Sequence, residues 1–193
     1  MVDVVIQTRP RAGQSHCGDQ GAYWRLSAEQ LLVCLADGIG HGQPAFEAAS
    51  RCLTIVEKYR FESLAVILAH CNEALRVTRG VAAALCKWDV NRAQLEFAGV
   101  GNITAVKIGN HLTYLPSLRG ILGAEQNLQV QTRVLPLTQG QDMFFMGSDG
   151  MSEALPYMQY RRQLLFPDLS AMVSELLLKW GSAADDSAVL VAR

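Results

Sequence analysis

Leu31-Leu32-Val33-Cys34-Leu35-Ala36-Asp37-Gly38-Ile39-Gly40-His41-Gly42 changes character halfway along. Six apolar residues make a run too short for an ordinary helix, and the glycine-rich stretch behind them favours a buried strand. From Pro44 to Tyr59 the period becomes helical, with Phe46, Ala49, Leu53, Val56 and Tyr59 recurring at three- and four-residue spacing. A second helix is expected from Glu62 to Arg76, with Leu64, Ile67, Leu68, Cys71 and Leu75 on one face. The stretch therefore reads as strand, glycine-rich loop, two helices.

Strands flank this unit on both sides. Val2 to Thr8 is β-branched and Asp19 to Leu26 is a second candidate strand. Downstream, Val81–Trp88 and Ala93–Ala98 are separated by Asp89-Val90-Asn91-Arg92, a hairpin loop. Ile103–Ile108 and His111–Leu115 are joined by Gly109-Asn110, a two-residue hairpin signal. Leu128–Leu135 and Asp142–Met146 are read as two more strands, Leu169–Trp180 as an amphipathic helix and Ser187–Ala192 as a closing strand. Adjacent hairpins point to antiparallel sheet, and the segregation of helices from strands points to α+β. Two packed antiparallel sheets with helices outside would bury both apolar strand faces, an α-β-β-α sandwich of four layers.

Composition bounds the function. The 193 residues are 50% hydrophobic and 18% charged, enough apolar material for a sizeable core. Seventeen basic against 18 acidic residues give a net charge of −1, without the basic excess of a general nucleic-acid binder. No apolar run reaches the roughly 18 residues needed to span a bilayer. Met1-Val2-Asp3 opens with an acid rather than a basic signal region, so a cytoplasmic protein is expected. Cys17, Cys34, Cys52, Cys71 and Cys86 are odd in number and contain no CxxC, against a disulfide framework or thiolate zinc site. Cys34 and Cys52 read as small buried hydrophobes.

Three acidic positions share one context. Asp37 follows an apolar strand and precedes Gly38; Asp149 follows Met143-Phe144-Phe145-Met146-Gly147-Ser148 and precedes Gly150; Asp185-Asp186 precedes Ser187-Ala188-Val189-Leu190-Val191. If these strands are neighbours, the acids converge at one sheet edge, with Asp19 of Gly18-Asp19-Gln20 as a fourth contributor. A single Asp-Gly is most often a turn. Clustered carboxylates, however, repel one another, and a hard divalent cation relieves that repulsion. Oxygen ligands without thiolates suit Mg²⁺ or Mn²⁺.

The ordered set Ala36-Asp37-Gly38-Ile39-Gly40-His41-Gly42, Gly147-Ser148-Asp149-Gly150-Met151-Ser152-Glu153-Ala154 and Asp185-Asp186-Ser187-Ala188-Val189-Leu190 resembles the signature segments of metal-dependent serine/threonine protein phosphatases, the PPM or type 2C class. The sporulation-stage-II-E-like subgroup is the better match. Cys17-Gly18-Asp19 fits its early motif, and Ala98-Gly99-Val100-Gly101-Asn102 and Arg119-Gly120-Ile121-Leu122-Gly123 resemble its central landmarks. The resemblance implies one catalytic domain over residues 1–193. Its compact form with Asp-Gly-Ile-Gly-His-Gly resembles the feedback phosphatases of the bacterial stressosome, whose substrates would be phosphorylated STAS-domain scaffold proteins.

Carried over by position, the resemblance makes Asp37 the bridge between two divalent ions, Mn²⁺ or Mg²⁺. Asp149 and Asp185 would complete the first ion's protein ligands, and the Gly38 carbonyl would ligate the second, helped by Asp19. Asp186 is the alternative to Asp185. The implied reaction is direct attack of metal-activated water on phosphorus, with His41 or a second water protonating the leaving oxygen. His41 equally suits a loop residue that orients a ligand or caps the next helix. The pattern departs from larger family members in two places. Gln14 stands at the spacing where they carry a phosphate-holding arginine, and Val100-Gly101-Asn102 lacks an aspartate for a third ion. Alternatives of other kinds stay open: a phosphatase of another anti-sigma-factor antagonist, a catalytically weak binding module, and a structural carboxylate site in an unrelated α+β domain. Arg161-Arg162, after Tyr157-Met158-Gln159-Tyr160, reads as a solvated helical face or a docking patch.

Overall fold

The computed structural model describes residues 2–161 and 168–193; Arg162, half of the candidate docking patch, lies outside them. Its elements in chain order are β1 (Val4–Arg9), β2 (Asp19–Arg25), β3 (Gln30–Gly38), α1 (Gln43–Lys58), α2 (Leu64–Leu75), β4 (Val81–Asp89), β5 (Gln94–Val100), β6 (Thr104–Ile108), β7 (Leu112–Tyr114), β8 (Arg133–Pro136), β9 (Met143–Gly147), α3 (Tyr157–Arg161), α4 (Leu169–Trp180) and β10 (Ser187–Ala192). Two five-stranded sheets result, in the orders β1-β10-β9-β6-β7 and β2-β3-β4-β5-β8. All the strand pairs are antiparallel.

The continuous apolar run of β3 is explained by burial on both faces. Leu31, Val33 and Leu35 point between the sheets, while Leu32, Cys34 and Ala36 point to the helices, the two-residue alternation of a strand. β10 divides in the same way: Ala188, Leu190 and Ala192 face the inter-sheet core, Val189 and Val191 the other helical layer. α1 and α2 cover the first of these outer faces, α3 and α4 the second. This is the four-layer sandwich expected from the sequence. Truncating one of the central leucines, such as Leu35, would cost about 2–5 kcal/mol.

The helix ends follow local chemistry. Ser63 caps α2 by accepting from the Val66 amide, and Asp168 caps α4 by accepting from Ala171. α1 starts at Gly42 without a side-chain cap, with a proline in its first turn where a missing N–H costs nothing. Cys34 and Cys52 are buried as expected.

One strand differs from expectation. Of the stretch Leu128–Leu135, only the end joins the sheet, as β8. Leu128 and Val130 instead pack against the helix-side core without forming a ladder. Their apolar character serves tertiary packing rather than strand pairing.

Candidate metal centre

The antiparallel register of β2 and β3 sets Asp19 directly across from Asp37. Both are buried, at 2% and 9% exposure. Asp149 and Asp185 stand on the loops after β9 and before β10, both exposed. Because β9 pairs with β10, and β10 also packs over β2 and β3, these loops emerge at the same end of the sandwich. The four acids singled out in the sequence are therefore brought together.

Their electrostatics carry the mark of that proximity. Burial pushes Asp37 up to about 8, and the charges of Asp19, Asp149 and Asp185 add to it. Asp19 is raised to about 7, first by burial and then by Asp186 and Asp149. Asp149 is raised by loss of hydration and by Asp185, against a lowering from Asn102. No cation balances the cluster: the ion pairs among the described residues involve other acids.

Asp185 and Asp186 are separated by their bonds. Asp186 is buried, and its two oxygens accept the backbone N–H groups of Arg11 at 2.8 Å and Gly18 at 2.9 Å. It ties the β1–β2 connection to the start of β10 and so positions Asp19. Asp185 spends one oxygen only on the neighbouring Asp186 amide, at 2.9 Å, and faces solvent. Of the pair, only Asp185 keeps a carboxylate oxygen free of backbone hydrogen bonds.

Gly38 ends β3 against helix α1. A Cβ there would stand 2.1 Å from the Ala45 carbonyl oxygen, so only glycine lets the helix start so close behind Asp37. His41 is exposed on the loop between them. It does not cap α1, whose N-cap is Gly42 with no side-chain bond.

Three supporting residues were not singled out from the sequence. Asn102 Nδ2 donates to Asp149 Oδ2 at 2.8 Å. Ser148 Oγ accepts from the Ala188 amide at 2.9 Å and lies against the Asp19 carboxylate. Ser187 Oγ donates to the Gly150 carbonyl at 3.1 Å, locking the Asp149 loop to β10. Each sits inside a quoted motif, but only Ser148 and Ser187 stand next to a candidate ligand in the chain, the one available signal; Asn102 meets Asp149 through the fold alone.

The donor set fits hard divalent ions. Asp19 Oδ2 is buried with no hydrogen-bond partner, an acceptor in want of a cation or donor. Among the described residues no three His, Cys, Asp or Glu side chains close into a ready metal shell. Mg²⁺ does not require one, since it is commonly held by one or two carboxylates with water and phosphate oxygens completing the octahedron.

Residues 27–193 match the family of stage II sporulation protein E, SpoIIE. The chain belongs to the SpoIIE family. The phosphoserine phosphatase RsbX of Bacillus subtilis (strain 168) is 28% identical over 102 residues, 53% of this chain and 51% of RsbX. The chain thus matches about half the length of that curated relative. A structure solved in work on the bacterial stressosome, as a modular system adapted to control secondary messenger signalling, is 33% identical and covers 100% of both chains with a TM-score of 0.91. Crystalline RsbX in complex with magnesium shares the fold, with a TM-score of 0.85 over 99% of this chain and 94% of that one at 23% identity. The SpoIIE-family sandwich and the acid positions expected from the motifs thus occur together here. No helix among the described residues is long and apolar enough to cross a membrane.

Proposed function

We propose that residues 1–193 form one catalytic domain, a metal-dependent phosphatase of phosphoserine and phosphothreonine in proteins. The observation that carries this reading is the cross-strand Asp19–Asp37 pair, buried, uncompensated and left with an unpartnered carboxylate oxygen. Such a pair is costly to a fold that does not use it. Divalent ions held there would neutralise phosphoryl charge and activate water for attack on phosphorus.

The chain's own residues divide the work. Asp37, Asp149 and Asp185 would be the principal ligands, with Asp19 and the Gly38 carbonyl assisting. Asp186, Ser148, Ser187 and Asn102 hold these groups in place through the bonds described above. Asp186 belongs to this supporting set and is the second choice as a ligand. His41, exposed at the mouth, would protonate the departing serine oxygen. This role is checked with His41→Gln on aryl phosphates of graded leaving-group acidity: the loss should grow as the leaving group worsens, and a uniform loss would contradict it. Likeness to RsbX and to the stressosome structure supports phosphorylated STAS-domain proteins as the substrates.

The test is phosphate release from a phosphorylated STAS-domain protein, with and without Mn²⁺ or Mg²⁺, for the wild type and Asp37→Ala. Metal-dependent release, reduced by about 10²-fold or more in the variant, is expected. Release from an aryl phosphate alone would keep the phosphatase and discard that substrate. No release from either by folded, metal-loaded protein would overturn the reading.

A further inference from the structure

The carboxylate centre must admit a dianionic phosphate, yet its own charges are all negative. A cation at the rim would offset that repulsion during binding. Arg9 is committed elsewhere: its Nη2 donates to the Ser182 carbonyl at 2.9 Å. Gln14 reaches the same rim at Gly42, but it is neutral.

Arg79 stands differently. It is exposed, and its side chain makes no ion pair or hydrogen bond among the described residues. Its backbone is nonetheless rigidly placed. Thr78 Oγ1 donates to the Leu75 carbonyl at 2.7 Å and accepts from the Gly80 amide at 3.1 Å. The Gly80 carbonyl accepts from the Ile39 amide at 3.0 Å, and Val81 pairs with Gly38 on one side and with Leu122 on the other. The turn carrying Arg79 is thus stitched to the glycine-rich loop behind Asp37.

The guanidinium lies along that loop. Arg79 Nη1 is 3.0 Å from where a Cβ on Gly40 would stand, and Gly40 itself has φ +96°, a conformation that disfavours any side chain. The bare Gly40 backbone, three residues past Asp37, leaves the guanidinium room along the glycine-rich loop. A planar fork of donors, fully charged and unspent, is the group best suited to grip a substrate oxyanion.

We propose that Arg79 is a substrate-binding residue that receives an oxyanion of the phosphoprotein over Gly40, the task for which Gln14 lacks the charge. The oxyanion is a phosphoryl oxygen or a carboxylate beside the phosphoresidue; both offer the same chemistry. This inference rests on the phosphatase reading.

The experiment compares wild type, Arg79→Ala and Arg79→Lys on a phosphoserine protein and on an aryl phosphate, with Mn²⁺ present. Arg79→Ala should raise KM for the protein about tenfold to a hundredfold while the melting temperature holds. Arg79→Lys should recover part of the loss, and the gap between wild type and Arg79→Ala should shrink as salt is raised to about 0.5 M. A rise in KM for both substrates assigns the contact to the phosphoryl oxygen; a rise for the protein alone assigns it to a neighbouring carboxylate. An unchanged KM for both, with an active wild type, overturns Arg79 and leaves the phosphatase intact. An inactive wild type overturns the phosphatase instead. Arg79 is then read from titration of a synthetic phosphoserine peptide into Asp37→Asn and Asp37→Asn/Arg79→Ala: weaker binding in the double variant supports the contact, equal binding overturns it.

Discussion

The two ends of β9 treat their acids in opposite ways. Before its first residue, Asp142 is 4% exposed and its Oδ2 accepts from Lys107 Nζ at 2.8 Å and from the Thr138 amide at 2.7 Å. After its last residue, Asp149 joins Asp37, Asp19 and Asp185, and no cation of the described residues pairs with them. The first end shows how this fold neutralises a buried carboxylate when stability is the requirement. The second shows acids placed with equal care and left uncompensated. The difference separates a structural charge from the centre proposed above to take its positive partner from solution.

Matched substitutions should therefore act with opposite sign on the two ends. Asp142→Ala strands Lys107 in a half-buried position and leaves the Thr138 amide without its acceptor; it should cost about 3 kcal/mol in denaturant unfolding and leave metal-dependent turnover per folded molecule unchanged. Asp37→Asn removes a repelled charge, so metal-free protein at about pH 9 should gain at least about 1 kcal/mol while losing turnover. A loss of stability in Asp37→Asn under those conditions would break the comparison.

Titration sharpens the same contrast with a smaller effect. The folded-state values of Asp19 and Asp37, about 7 and about 8, lie above the ordinary aspartate value of about 3.9. Between those limits the folded state binds more protons than the unfolded one, so stability of the metal-free protein falls as pH rises from about 4 to about 8. Added Mg²⁺ or Mn²⁺ should then raise the melting temperature more at pH 8 than at pH 5, because at low pH it competes with protons. An equal rise at both would show that the ions bind away from these acids.

Much of this arrangement was legible in the chain itself. Leu169–Trp180 was readable to the residue because its helical period starts behind a capping Asp168, and Ser187–Ala192 because a short apolar run follows the polar Asp185-Asp186. The acids were findable because each ends or begins an apolar strand. The assignment of strands to sheets was not: β1 pairs with β10 and β6 with β9, partners set by packing across the whole chain rather than by neighbours. β8 was overextended because Leu128 and Val130 have strand-like composition but spend it on the helix-side core. The choice of Asp185 over Asp186 rested on the family resemblance alone, since their differing bonds depend on where the fold puts the Arg11 and Gly18 amides.

Asn102 provides the finest distinction between the ends. Its amide donates to Asp149 Oδ2 in a geometry comparable to that of Lys107 on Asp142, 2.8 Å in each case, but brings no charge. A neutral donor orients the carboxylate and leaves its negative charge available, whereas a lysine would cancel it. Asn102→Ala should therefore lower metal affinity modestly, about tenfold at the low end for a residue that orients a ligand, with little change in kcat once the ion saturates. Asn102→Asp should do worse than alanine at low metal, because it adds a repelled charge to Asp149. Measured as the Mn²⁺ concentration for half-maximal turnover, the order wild type, alanine, aspartate is expected. If aspartate instead tightens the metal, the residue at this position is a ligand site in its own right and not only a support for Asp149.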